Sequence, residues 1–301
     1  MPHLVPLPRE DGHHVPRPYV APLAIHTHTA PAREYIVHLL WDGTQSRRLP
    51  DSDCPPWADS ISECTWQANL ESALELEPAH VSAYCLQVEP GTPLARRVDQ
   101  GEISPMPDDR QADLYLQTAH VLERAGLAQY EVSNYATPGA ECRHNLTHWR
   151  NEPHIGVGAS AWSFTAGERR QNAADVEAYT EAWTNGEPCV SYRERCAGVA
   201  AANETLMMGL RTREGVSLSA LRARHGVDLL TLRSAEIDRL CAEGLVSVAE
   251  DRLSPRPAGM AVVGEITAII AVSEEEWLSG RRRGLPEEQR GKQPGCGVRR
   301  L

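Results

Sequence analysis

Lysine is all but missing from this chain: Lys292 is the only one in 301 residues, so the basic side chains are almost all arginine. With a formal net charge of −11 and a pI near 5.6, the sequence argues against a broad nucleic-acid footprint, which is built from clustered Lys and Arg. Arginine still presents a planar fork to carboxylates and phosphates, so an acidic ligand such as a propionate is compatible with an acidic protein. Close cysteine spacing is also lacking. No two of Cys54, Cys64, Cys85, Cys142, Cys189, Cys196, Cys241 and Cys296 lie two or three residues apart, and no zinc-finger or iron–sulfur motif can be assembled from local spacing. No basic segment followed by an apolar one opens the chain, and no apolar run approaches membrane-spanning length. The expectation is a cytoplasmic protein with reduced thiols.

What is present divides into four stretches. Residues 1–59 are rich in Pro and His, lack either period and read as a poorly ordered leader; the HTHT run from His26 to Thr29, with His13 and His14, has no Cys or carboxylate cluster to complete a metal site. Residues 60–190 alternate between helix and strand. Ser60 to Glu63 is a capping box before Trp66, Leu70, Ala73 and Leu74 at helical spacing, and His80 to Val88 is an apolar strand. A second helix starts near Asp108 and is closed by Gly126, and a strand follows from Gln129 to Ser133. This rhythm predicts an α/β unit with a parallel sheet, with too few units to close an eight-stranded barrel. Asp175 to Thr184 reads as a further short helix. In 191–272, helices around Leu206–Leu210, Leu218–Arg224 and Leu232–Cys241 precede a hairpin turning at Glu250-Asp251 and a last helix over Met260–Val272, a winged-helix-like α+β domain. Its second helix mixes Arg233 and Arg239 with Glu236, Asp238 and Glu243, so a basic groove-reading face is missing. Residues 273–301 read as a disordered tail.

The most informative stretch is Tyr130 to Phe164, YEVSNYATPGAECRHNLTHWRNEPHIGVGASAWSF. It joins a polar knot (Cys142, Arg143, His144, Asn145, His148, Trp149, Arg150) to a Gly-rich strand in which Gly156, Gly158, Ala159, Ser160 and Ala161 would let something flat approach the backbone. Short loops also gather such polar residues at solvent. The G-x-G-x-x-A match at Gly156 lacks the βαβ context of a dinucleotide fingerprint. Tyr84 and Glu89 lie along and beyond the end of the first strand, where α/β sheets place ligands, although Glu89 can equally top a surface loop.

The strings HVSAYCLQVEPGTPL, YEVSNYATPGAECRHNLTHWR and IGVGASAWSF resemble the C-terminal half of the radical S-adenosylmethionine proteins called HemW, relatives of the oxygen-independent coproporphyrinogen III oxidase HemN. ETLMMGLRTREGV and EGLV in the C-terminal region are similar to the family's as well. The resemblance implies an incomplete radical-SAM-type (β/α) partial barrel that binds S-adenosylmethionine and a [4Fe-4S] cluster, followed by the winged-helix-like domain. It implies a haem chaperone delivering haem to haem-dependent respiratory proteins, or alternatively coproporphyrinogen oxidation or a catalytically inert interaction module. Adenosylmethionine contacts would fall near Tyr84, Gln87 and Glu89 and at Gly156, Gly158 and Ser160. From their chemistry, Arg143 and Arg150 are candidates to pair haem propionates, His144 or His148 to ligate iron, and Trp149 to stack on the macrocycle, with Asn145 beside them. Trp162 stands where many members carry His. The family's C-x-x-x-C-x-x-C motif does not occur in this sequence, which is therefore expected to represent a member's C-terminal half without cluster ligands or assigned catalytic residues.

Overall fold

A computed structural model describes residues 24–27, 35–41, 44–46, 63–85 and 87–283. Its first unit is a five-stranded sheet in the order β1-β2-β4-β7-β6, formed by β1 (Ala24–Thr27), β2 (Tyr35–Trp41), β4 (His80–Cys85), β7 (Asn134–Ala136) and β6 (Ala128–Glu131). A short pair, β3 (Thr44–Ser46) with β5 (Ile103–Pro105), lies outside it. Among the described strands only β2 and β4 are parallel, in register from Ile36 opposite His80 to Trp41 opposite Cys85. The expected parallel sheet is thus a mixed one. The reason is local: Val132 and Ser133 alone separate β6 from β7, too short a connection for a crossover, so the two strands form an antiparallel hairpin. Strands β1–β3 also fall inside the expected leader 1–59; the rest of that leader, including His13 and His14, and the capping residues Ser60 to Ser62 lie outside the described residues.

Helices α1 (Glu63–Leu74), α2 (Pro93–Asp99) and α3 (Asp108–Arg124) complete this unit. The spacing of Trp66, Leu70 and Ala73 puts them on one stripe of α1, and Leu114, Thr118 and Leu122 do the same on α3. The two stripes meet over Val81, Ala83 and Tyr135 of the sheet in one buried cluster. Inside it the Trp66 indole N–H donates to Thr118 Oγ1 at 2.8 Å, which satisfies the one polar atom the tryptophan brings into the core.

The chain then forms helix α4 (Arg143–Trp149) and a three-stranded antiparallel sheet of β8 (Trp162–Thr165), β9 (Glu168–Asn172) and β10 (Val190–Arg195), with α5 (Val176–Thr184) between β9 and β10. Asp175 caps α5 by accepting from the Ala178 amide at 2.8 Å. The expected Gly-rich strand is instead a loop over 155–161 that runs into β8.

The C-terminal unit contains α6 (Gly198–Gly209), β11 (Val216–Ser217), α7 (Leu218–His225), α8 (Leu229–Leu232), α9 (Ser234–Ala242), β12 (Val246–Ala249) and β13 (Arg252–Pro255). Three strands in the order β11-β13-β12 make the expected wing, turning at Glu250-Asp251. The expected last helix is two, α10 (Pro257–Ala261) and α11 (Val263–Ile270), broken at Val262. Ala202, Leu206, Leu221, Ile237, Leu240, Val246, Leu253, Ile266 and Ile270 form its core. The expected tail begins with another helix, α12 (Glu274–Arg283). Glu276 holds Arg233 at 2.6 and 2.7 Å, and the Trp277 indole donates to the His225 carbonyl at 2.9 Å, so α12 is fastened to α7 and α9. Residues 284–301 lie outside the described residues.

The two units meet along β6. The Val132 amide donates to the Arg211 carbonyl at 2.9 Å and the Arg213 amide to the Tyr130 carbonyl at 3.0 Å, so the turn after α6 pairs with the sheet's edge.

Candidate functional site

Helix α4 carries most of the polar knot. His144 and His148 are one turn apart and share a face; their Nε2 atoms are 3.2 Å apart and their rings meet edge to face. His154 extends the group, with its ring centre 4.3 Å from that of His148 and 6.4 Å from that of Phe164. Nδ1 of His154 lies 3.1 Å from the Glu152 carbonyl, which can only accept, so this nitrogen donates and the neutral tautomer is the one with its lone pair on Nε2. Partial burial, then the neighbouring His154 and His144, lower the pKa of His148 and favour its neutral ring.

Beneath α4 runs a buried polar network. Tyr130 Oη meets His80 Nε2 at 2.8 Å, accepts from the Cys142 amide at 3.3 Å and lies 3.5 Å from Asn145 Nδ2. Glu131, only 1% exposed, accepts from the Asn134 side-chain amide, from the Ser133 N–H at 3.2 Å and from the Trp149 indole. Asn134 in turn accepts from the Ser82 hydroxyl. Burial pushes the Glu131 carboxyl up to about 7, against the lowering effect of the Ser133 and Trp149 donors. Neither Tyr130 nor Glu131 was an expected site residue. The available signal was a glutamate on a hairpin that also carries Gln129, Tyr130, Ser133, Asn134 and Tyr135, a position that requires donors around it once buried.

The two arginines differ. Arg150 is occupied by Glu214, to which its Nε and Nη2 reach at 3.1 and 3.0 Å, and Arg252 takes the other oxygen of Glu214 at 2.7 Å. Arg143 is exposed at the start of α4. Trp149 is half-buried and turns its N–H inward to Glu131, which limits it as a stacking surface.

The small residues of the 155–161 loop have local causes. A Cβ on Gly156 would lie 2.2 Å from the Trp162 carbonyl oxygen, so only glycine fits there. The Gly158 amide donates to Tyr179 Oη at 3.0 Å, and Asn172 Nδ2 donates to the Gly158 carbonyl at 2.8 Å. Open space surrounds the Cα of Gly158, whose φ is +108°, and Ser160 is left-handed at +62°. Around this loop Ile155 is 77% exposed, Val157 is 83% exposed, and Trp162 packs edge-on against Tyr192.

Tyr84, Gln87 and Glu89 are exposed at and beyond the C-terminal end of β4, where the Glu89 carbonyl accepts from the Thr92 hydroxyl that caps α2. Among the described residues no hydrogen bond or ring contact joins these three to α4 or to the 155–161 loop. Nor does any group of three or more His, Cys, Asp or Glu among the described residues have an arrangement that could hold a metal ion.

Residues 200–262, from α6 through the wing to α10, match the family described as HemN C-terminal domain. Over 155 residues the chain is 37% identical to the Heme chaperone HemW of Synechocystis, a match covering 50% of this chain and 37% of that protein. Over these stretches the chain is similar to HemW. The Heme chaperone HemW of Mycobacterium tuberculosis is 35% identical over 188 residues, covering 62% of this chain and 45% of the relative. The mitochondrial Radical S-adenosyl methionine domain-containing protein 1 of Bos taurus is 30% identical over 234 residues, covering 73% and 53%. Among solved structures, the radical SAM enzyme coproporphyrinogen III oxidase (HemN) of Escherichia coli superposes with a TM-score of 0.56 over 79% of the HemW-like chain and 54% of its own, at 15% identity. That likeness is one of fold. The HemW-like chain spans between 37% and 53% of the length of these curated relatives. No helix among the described residues is long and apolar enough to cross a membrane.

Proposed function

We propose that this HemW-like chain handles haem, with helix α4 as its contact, in the manner the names of its HemW relatives state for those proteins. The observation that carries the reading is the pair of imidazole nitrogens on one face of α4, beside exposed Arg143 and an exposed apolar loop at Ile155 and Val157. His144 or His148 supplies the axial nitrogen to iron, and Arg143 pairs a propionate through its planar fork. Arg150 joins it only by leaving Glu214. Asn145 and Trp149, tied to Tyr130 and Glu131, hold the helix in place. Haem is the cargo in this reading, passed on to a haem-dependent respiratory protein.

The test is haem titration of the full chain. His144→Ala and His148→Ala together should shift the Soret band and weaken binding about tenfold or more, while Arg143→Ala weakens it with the band unmoved. Unchanged affinity and spectrum in the double variant would overturn the assignment.

Adenosylmethionine binding is a second part of the proposal, at Tyr84, Gln87 and Glu89 and at Gly156, Gly158 and Ser160. In its favour, the first three are exposed at and beyond the C-terminal end of β4, and a Cβ on Gly158 would meet nothing within 4 Å. Calorimetry with adenosylmethionine on wild type and Gln87→Ala checks it. A [4Fe-4S] cluster does not fit the described residues: no disulfide joins Cys85, Cys142, Cys189, Cys196 and Cys241, and no three of them gather.

A further inference from the structure

We propose that His144 and His148 form an open two-nitrogen clamp for a divalent transition-metal ion of the zinc, nickel or copper class. Two imidazole nitrogens bound to one zinc ion at about 2.0–2.1 Å and a tetrahedral angle stand about 3.3–3.4 Å apart. The Nε2 atoms already face each other at 3.2 Å, on residues one helical turn from each other, which is close to this separation; the contact is a hydrogen bond in which one Nε2 carries the proton, so chelation moves that proton to Nδ1 and turns both lone pairs toward the metal. Histidines at this helical spacing are a known way to present two nitrogens to one metal. The ligand must be the neutral ring, so binding competes with protons.

A third nitrogen is at hand. Neutral His154 keeps its Nε2 lone pair because Nδ1 faces the Glu152 carbonyl, and its ring lies against that of His148. No three-ligand group is already assembled among the described residues, so the remaining positions on the metal are left to water or to a rotated His154. Imidazole donors without a thiolate select borderline cations and not magnesium or calcium. The inference stands apart from the haem reading, because its test uses no haem.

The test is Zn²⁺ titration of the chelator-stripped, haem-free full chain by calorimetry, comparing wild type with His144→Gln and with His148→Gln. The exposed His120→Gln serves as a control, since other histidines, such as His13 and His14, offer metal a background. Either clamp variant should lose one binding event or weaken it about tenfold or more, because the second nitrogen acts at high effective concentration. Cu²⁺ on wild type should show coupling to two imidazole nitrogens in its electron paramagnetic resonance spectrum. Protection of His144 and His148 from diethyl pyrocarbonate by Zn²⁺, read by peptide mass, gives the same answer without a substitution. Equal zinc binding in either clamp variant, or no protection of the pair, would overturn the proposal.

Discussion

The guanidinium of Arg150, at the end of α4, grips the carboxylate of Glu214 through Nε at 3.1 Å and Nη2 at 3.0 Å. The contact ties the histidine-bearing helix to the turn that precedes the wing, and Arg252 of β13 shares the same carboxylate at 2.7 Å. The proposed haem contact is thereby coupled to the C-terminal unit.

Replacing Glu214 with Gln should release both arginines. The groups are exposed, so urea unfolding should show a loss of less than about 1 kcal/mol. Haem affinity should rise a few-fold as Arg150 becomes free for a propionate; unchanged affinity would remove Arg150 from the haem contact.

Glu131 should leave a signature in the pH dependence of stability. Its folded pKa of about 7 lies above the ordinary 4.5, so between these values the folded chain holds a proton that the unfolded chain has lost. Stability therefore falls as pH rises across this window and levels off above it, by at most about 3 kcal/mol. Urea midpoints at about pH 5 and about pH 8 read the slope, and Glu131→Gln should flatten it. Glu131→Ala strands the donors of Asn134, Ser133 and Trp149 and should cost roughly 2–4 kcal/mol at any pH.

Gly156→Ala places a methyl 2.2 Å from the Trp162 carbonyl oxygen. Either the 155–161 loop or β8 has to move, at a cost of about 1–3 kcal/mol. Thermal unfolding reads the cost, and a shift in tryptophan fluorescence reads the displacement of Trp162. A variant as stable as wild type with unshifted emission would show that the close approach does not hold in solution.

Helix α12 should be held through Glu276, whose pKa Arg233, followed by the Ser273 amide and hydroxyl, pulls down to about 2. The stabilisation is complete above the ordinary 4.5 and fades as pH falls toward 2, and because the carboxylate is partly exposed it amounts to no more than about 1 kcal/mol. Trp277→Ala, which removes the bond to His225, should open α12 to limited proteolysis at neutral pH while the rest of the C-terminal unit stays protected. Equal protection in wild type and variant would show that Trp277 does not anchor the helix.

Local pattern decided much of this chain. Leu114, Thr118 and Leu122 at helical spacing after acidic Asp108 and Asp109 specify α3 before any partner is considered, and Val246 to Pro255 turning at Glu250-Asp251 specifies the wing hairpin. The polar knot was legible as a cluster of chemistry, because Arg143 to Arg150 are neighbours in the chain. Its form was not. The segment RHNLTHW has no apolar stripe to announce a helix, and the partners of α4 are Tyr130, Glu131 and Glu214, brought to it by the β6–β7 hairpin and by the turn before β11. The same holds for the glycines, whose smallness reads from sequence as room for a ligand and in three dimensions answers at Gly156 to the backbone of Trp162. Residue type and spacing thus determined the strongly periodic helices such as α3 and which side chains carry chemistry, since those depend on periods of a few residues. Tertiary structure alone decided which nitrogen faces which, which arginine is already paired and which carboxylate is buried, since these depend on contacts between residues far apart in the chain.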